Sequence, residues 1–247
     1  MDEFNENNLN TQQPVNKTSC ANYVPMAQYN PFYRKKDVGT IIMFCLLAAV
    51  TIFMFSILIF TNTMSLCLVQ QHSMNPTIVD GQFVMLRNSN DNISRGTIIT
   101  LEAPAHHHNR GVRLFIKRVV ATGGDTIQFR QTNEQVANTS LFYVDVYLSP
   151  SGSNNFERVC EEDIILTRMT TASNFNLNLY NGLFSYTVPD DRVFVLGDNR
   201  GNSVDSRNYN SFHLSAVTGR MTSIIRQGSS RERFMLFLFG RPRQAGT

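Results

Sequence analysis

The sequence predicts a mainly β protein carried on one transmembrane helix: an antiparallel β barrel or sandwich with a smaller inserted β subdomain. Three observations predict it. The run VGTIIMFCLLAAVTIFMFSILIF, at 38–60, carries no charge. Beyond it, short segments rich in Val, Ile, Phe and Tyr are bounded by Gly, Asn, Ser and Pro, the pattern of strands between turns. Convincing helical periodicity is absent from the same region.

Taken in chain order, residues 1–37 read as a disordered cytoplasmic tail, because this Asn/Gln-rich stretch has too little periodic apolar content to fold alone. The 38–60 run reaches ~34 Å as a helix, enough to cross a ~30 Å hydrocarbon layer with some tilt. It is apolar on every face, unlike a core helix, and too long for the apolar region of a cleaved leader. Arg34, Lys35 and Lys36 precede it, and the first basic residue after it is Arg87. That asymmetry keeps the N-terminus cytoplasmic and translocates 61–247. Strands are expected at 82–86, 97–101, 114–121, 141–148 and 193–196, and about 130–190 has the Asn/Ser-dense texture of an inserted β subdomain.

Composition excludes some functions. With 42% apolar and 17% charged residues the chain is not disordered as a whole, and a net charge of +3 with scattered Lys and Arg gives no nucleic-acid footprint. Cys20, Cys45, Cys67 and Cys160 fall in unlike segments, so no paired framework of the secreted kind is expected; a Cys67–Cys160 bridge is disfavoured. No CxxC or Cys/His metal spacing occurs, and His106, His107 and His108 are consecutive and cannot converge on one ion. No cofactor is indicated.

The candidate chemistry begins at QQHSMNPTIVDG, 70–81, where Ser73 stands ahead of an Asn-Pro-Thr turn. A serine hydroxyl is a weak nucleophile and needs a base. His72 points to the opposite side of an extended segment. His213, oriented by Asp198 or Asp205, would make a Ser/His/Asp arrangement. Lys117 is the other candidate. In FIKRVVATGGDT, alternation puts Phe115, Lys117 and Val119 on one face and Ile116, Arg118 and Val120 on the other. One of the two cations must sit among apolar neighbours. An inward lysine would lose its charge by desolvation and serve as a base near neutral pH; an outward one would snorkel to water. Periodicity leaves both readings open.

A third segment bears on the choice. GDNRGNSVDSR, 197–207, packs charged and hydroxyl side chains into one loop after a strand. SMNPT at 73–77, FIKRVV with GGD at 115–125, and this loop resemble three of the ordered motif boxes of the type I (leader) signal peptidases. Gly219 and Arg220 resemble the glycine-basic step that follows. The resemblance covers the apolar span and most of the body. It implies a serine endopeptidase with Ser73 as nucleophile and Lys117 as general base, and Ser203 as the hydroxyl that helps orient the lysine. Asp198 with Arg118, and Asp205 with Arg207, match bracing ion pairs. The Ser73 N–H is the first oxyanion donor; where some relatives have a second donor this chain has Gln71.

The resemblance also implies substrates, place and departures. Its substrates are signal-peptide-bearing preproteins at a lipid bilayer, beside protein-export machinery, cut after small residues in an extended segment. Its place is the cell (inner or plasma) membrane. Gly81-Gln82, Arg95-Gly96-Thr97 and Gly123 depart from the family pattern and suggest altered turns and lost surface carboxylates. RERFMLFLFGRPR, 231–243, is too short to span a membrane; it reads as a terminal strand or tail, or as an interfacial contact with anionic lipid. Rival readings are a soluble Ser/Lys self-cleaving peptidase, a specialised maturation peptidase of a conjugation system, and a membrane-anchored binding module with a weakened site.

Overall fold

A computed structural model describes residues 37–102, 114–159, 168–171, 183–240 and 242–246. The N-terminal tail up to residue 36, the His106–His108 loop, Cys20 and Cys160 lie outside the described residues, as does part of the 130–190 insertion. The first element is helix α1, Val38–Thr63, of 26 residues with none buried and a mean hydropathy of 2.8 in its most apolar window. At 1.5 Å per residue it is about 39 Å long. It runs three residues past the expected end, where polar side chains bond back to the preceding turn: Thr61 Oγ1 to Ile57 O, Asn62 Nδ2 to Leu58 O, and Thr63 Oγ1 to Ile59 O.

The order then continues as β1 Met64–Val69, β2 Phe83–Arg87, β3 Ile98–Glu102, β4 Leu114–Thr122, β5 Thr126–Gln135, β6 Phe142–Ser149, β7 Glu157–Arg158, β8 Met169–Thr170, β9 Leu183–Thr187 and β10 Arg192–Leu196. Helix α2 Ser206–Tyr209, β11 Phe212–His213, a 3-10 turn at Leu214–Ala216, β12 Val217–Ile225, helix α3 Ser230–Phe239 and β13 Arg243–Gly246 complete the chain. The strands expected at 82–86, 97–101, 114–121, 141–148 and 193–196 correspond to β2, β3, β4, β6 and β10. β1 is not among the expected strands, and it leaves the helix with no intervening loop. Residues 230–239 form a helix rather than the expected strand or tail.

Six strands close into a ring in the order β4, β13, β1, β2, β12, β3 and back to β4. Four of these pairings are antiparallel; β13 runs parallel to both β1 and β4. Five ring strands supply Cys67, Val69, Val84, Leu86, Ile98, Ile116 and Ala245 to one buried cluster, joined by Met74 and Ile78 from the turn that carries Ser73. Burying a side chain of that size is worth about 1.5–3 kcal/mol, so these two residues pin the turn to the barrel. Cys67 is a free thiol in this cluster, and burial pushes its pKa up to about 12, so it is an apolar filler rather than a nucleophile.

The second sheet has the order β7-β6-β5-β9, with β8 also paired to β6. Its Ile127, Phe129, Val144 and Val146 pack with Val120 and Ala121 of β4 and Phe194 and Leu196 of β10, so it shares a core with the barrel strands. The junction is held by Asp125, which accepts bonds from Arg95 Nε and Nη2, from the Thr122 N–H and hydroxyl, and from the Ser151 N–H. Burial pushes that carboxyl up, but these bonds, led by Arg95, hold it below the usual carboxylate range. Arg95 and Gly123, two of the departures from the family pattern, both act here. The Asp190 backbone crosses so close to Gly123 that a methyl group would overlap it. Gly123→Ala should therefore lower stability by about 1–3 kcal/mol, read as a shift of the urea midpoint; an unchanged midpoint would contradict this packing.

Candidate active site

Ser73 sits just past β1 in a tight turn. The Asn75 N–H donates to His72 O and the Ile78 N–H to Met74 O, while the Gly81 N–H returns to Val69 O. Met74 and Ile78 are drawn into the core, and Ser73 is left only 2% exposed. Register brings the other parts to it. Leu196, the last residue of β10, pairs with Arg118 of β4, so the loop that begins at Gly197 leaves the sheet beside Lys117. That loop then clasps the serine turn: the Asn199 N–H donates to Ser73 O at 2.9 Å and Asn199 Nδ2 to His72 O at 3.0 Å.

Lys117 reaches Ser73 from β4. Its Nζ donates to Ser73 Oγ at 2.9 Å and to Ile116 O at 3.0 Å, and lies 5.2 Å from the centre of the Phe115 ring. The side chain is fully buried. Desolvation pulls its pKa from the ordinary 10.5 to about 7; Asp205 and Asp198 work against that fall and Arg207 reinforces it. A neutral amine has two N–H groups and one lone pair. With the Ile116 carbonyl holding one hydrogen, the lone pair can accept from the serine hydroxyl across the same 2.9 Å. Among the described residues the Ser73 N–H has no acceptor, which leaves it available to a developing oxyanion.

Two ion pairs frame this contact. Arg118 makes a bidentate pair with buried Asp198, Nε to Oδ1 at 2.8 Å and Nη2 to Oδ2 at 2.7 Å, and its Nη1 donates to Gly96 O. Arg207 makes the same fork with Asp205, at 2.8 Å on each arm, with both residues at most 1% exposed. Asp205 also caps α2 by accepting from the Arg207 N–H, and it accepts from the Gly197 N–H at 3.0 Å. Burial pushes the Asp205 carboxyl up, but Arg207, the Gly197 N–H and the nearby Ser203 hydroxyl hold it below its usual range. Ser203 is 2% exposed; its Oγ makes no hydrogen bond of ordinary geometry and lies against Gly197, where a methyl group would overlap both Ser203 and Ser73 O.

Ser73, Lys117, Arg118, Asp198, Ser203, Asp205 and Arg207 come together here, although Ser203 Oγ is not bonded to Lys117. His213 is elsewhere: its Nε2 pairs with Asp191 at 2.6 Å and its Nδ1 accepts from the Ser215 N–H. His72 is exposed. The Gln71 N–H donates to Asp80 from a backbone with φ of 76°. Two contributors were not singled out individually: Asn199, and Arg200, which is 1% exposed and donates from Nε to Gly197 O while its own carbonyl accepts from Arg207. Both lie inside the quoted loop motif, but nothing in a polar loop's composition says which cation turns inward. Among the described residues no cluster of three or more His, Cys, Asp and Glu side chains could hold a metal ion.

Comparison with known proteins gives this arrangement its class. A family model described as signal peptidase, peptidase S26, matches residues 39–225. Signal peptidase I of Streptococcus pneumoniae is 27% identical over 162 residues, covering 61% of this chain and 76% of that one. Signal peptidase I U of Bacillus subtilis is 28% identical over 181 residues, covering 71% and 80%. A solved signal peptidase I from Enterococcus faecalis aligns over 54% of this chain and 100% of its own at 21% identity, with a TM-score of 0.34. The protein is a serine-type peptidase. More narrowly, the chain belongs to the signal peptidase family, peptidase S26.

The Asp205–Arg207 pair makes a test of the frame. Asp205→Asn strands a buried guanidinium, and breaking a buried pair from one side costs about 3–5 kcal/mol. Chemical denaturation should register a loss of that size, and a variant as stable as wild type would show that the pair does not hold the loop.

Proposed function

We propose that this protein removes N-terminal signal peptides from preproteins held at a membrane, with Ser73 as nucleophile and Lys117 as general base. What carries the reading is the contact between Lys117 Nζ and Ser73 Oγ, 2.9 Å, made by an amine without exposure to water. Neutral Lys117 takes the Ser73 proton as Oγ attacks the scissile carbonyl. The Ser73 N–H stabilises the resulting oxyanion. The protonated lysine gives its proton to the leaving amine; the same lysine, again neutral, then takes a proton from a water that attacks the ester carbonyl, and returns it to Ser73 Oγ as the C–Oγ bond breaks and the acyl group leaves as a carboxylic acid.

The remaining residues act through these two. Arg118 with Asp198, and Arg207 with Asp205, fix the loop whose Asn199 N–H holds the Ser73 turn, so their part is positioning. Ser203 is proposed to orient Lys117 from its place against Gly197, alongside the Ile116 carbonyl. The basic residues Arg34, Lys35 and Lys36 ahead of α1 support an orientation with the N-terminus in the cytoplasm and the barrel on the outer face of the cell membrane, where exported preproteins and the export machinery are met. β1 follows α1 directly and Ser73 follows β1 within four residues, which keeps the nucleophile near the end of the span.

Cleavage of a signal-peptide reporter tests this. Ser73→Ala and Lys117→Met should each lower turnover by about 10²-fold or more while the proteins stay folded. In wild type, kcat/KM should rise about tenfold per pH unit as the amine loses its proton and level off above about pH 7. Full turnover by Lys117→Met, with loss in His213→Ala, would move the base to the histidine.

A further inference from the structure

Helix α3 turns the wrong residues outward for a helix in water. Its Met235, Leu236 and Phe239 pack onto Leu66, Met85 and Ile225, covering the outer face of β1, β2 and β12. That accounts for one face. At about 100° per residue, Phe234 and Phe237 fall together on the opposite face, where a helix on a soluble body carries charges. They are 56% and 83% exposed. Arg231 and Arg233 fall on either side of them, and among the described residues neither is paired with a carboxylate.

The position of α3 says what covers this face. The Phe239 ring lies 5.6 Å from that of Phe60, in the last turns of α1. The exposed phenylalanines therefore begin where the apolar span ends. Aromatic rings flanked by arginines suit the boundary between headgroups and acyl chains: the rings enter it and the guanidinium groups stay with the phosphates.

We propose that α3 is an interfacial helix, lying in the surface of an anionic bilayer beside the end of α1, with Phe234 and Phe237 in the headgroup–acyl boundary and Arg231 and Arg233 on lipid phosphates. The inference rests on reading α1 as the membrane span. It gives the barrel a second attachment, which fixes the height of Ser73 over the surface and limits the swing that a single helix would permit.

The sequence contains no tryptophan, so one introduced tryptophan reports on its own position alone. The full-length protein is reconstituted in vesicles of phosphatidylcholine and phosphatidylglycerol as Phe237→Trp, as Phe53→Trp within the span, and as Leu183→Trp on β9, where the leucine is 43% exposed. Emission from Phe237→Trp should be blue-shifted, quenched by lipid brominated high on the acyl chain, and several-fold less sensitive to aqueous iodide than that of Leu183→Trp. Phosphatidylcholine alone should give weaker lipid quenching, and equal quenching would overturn the part given to the arginines. Iodide quenching of Phe237→Trp together with lipid quenching of Phe53→Trp would overturn the interfacial helix and leave the span standing. Iodide quenching of both would overturn the span and this inference with it. Protection of Phe237→Trp from both quenchers would mean a protein cover and would overturn it too.

Discussion

Everything at this site depends on keeping the Lys117 amine out of water. A drop from 10.5 to about 7 means that between those values the unfolded chain binds a proton that the folded chain does not. Folding stability therefore rises with pH across that window. Below about pH 7 both states are protonated and the full penalty, roughly 5 kcal/mol, is present. The rest of the core must offset it. A buried lysine on a strand is thus a structural liability, and the proposed mechanism gives it a use through the hydroxyl 2.9 Å from its nitrogen.

The surroundings hold the amine in place without restoring its charge. Asp198 and Asp205 would both favour the ammonium, yet each carboxylate is spent on an arginine, Arg118 and Arg207, through a two-armed contact. The loop is thereby tied down by charge pairs that are close to neutral overall. The meeting of the parts follows from register: β10 pairs with β4, its last residue lies opposite Arg118, and the following residues meet the Ser73 turn through Asn199. A hydroxyl in the turn after β1 and an amine on β4 are brought together by the strand pairing and the backbone bonds beside them.

Much of this was legible in the sequence. An uncharged apolar run announces a span, and β-branched and aromatic segments between turn residues announce β2, β3, β4, β6 and β10. Alternation could not decide between Lys117 and Arg118, because β4 is buried on both faces over most of its length. The two cations lie on opposite faces and are told apart by their partners: Arg118 finds Asp198 and the Gly96 carbonyl, and Lys117 finds no carboxylate. The helical state of 230–239 had a local sign that the apolar run obscured, a Ser229 whose hydroxyl accepts from the Glu232 N–H three residues on. β13 had none, since its place between β1 and β4 is settled by distant pairing.

The charge state of one amine is the central claim, and the sequence makes it open to direct observation. There are four lysines, at 17, 35, 36 and 117, so Lys117 is alone beyond the span. Carbon-13 labelling of the lysine ε-carbons, followed by NMR across pH, should give one resonance with a midpoint near 7 that is missing in Lys117→Met. Four resonances that all titrate near the ordinary 10.5 would contradict the account.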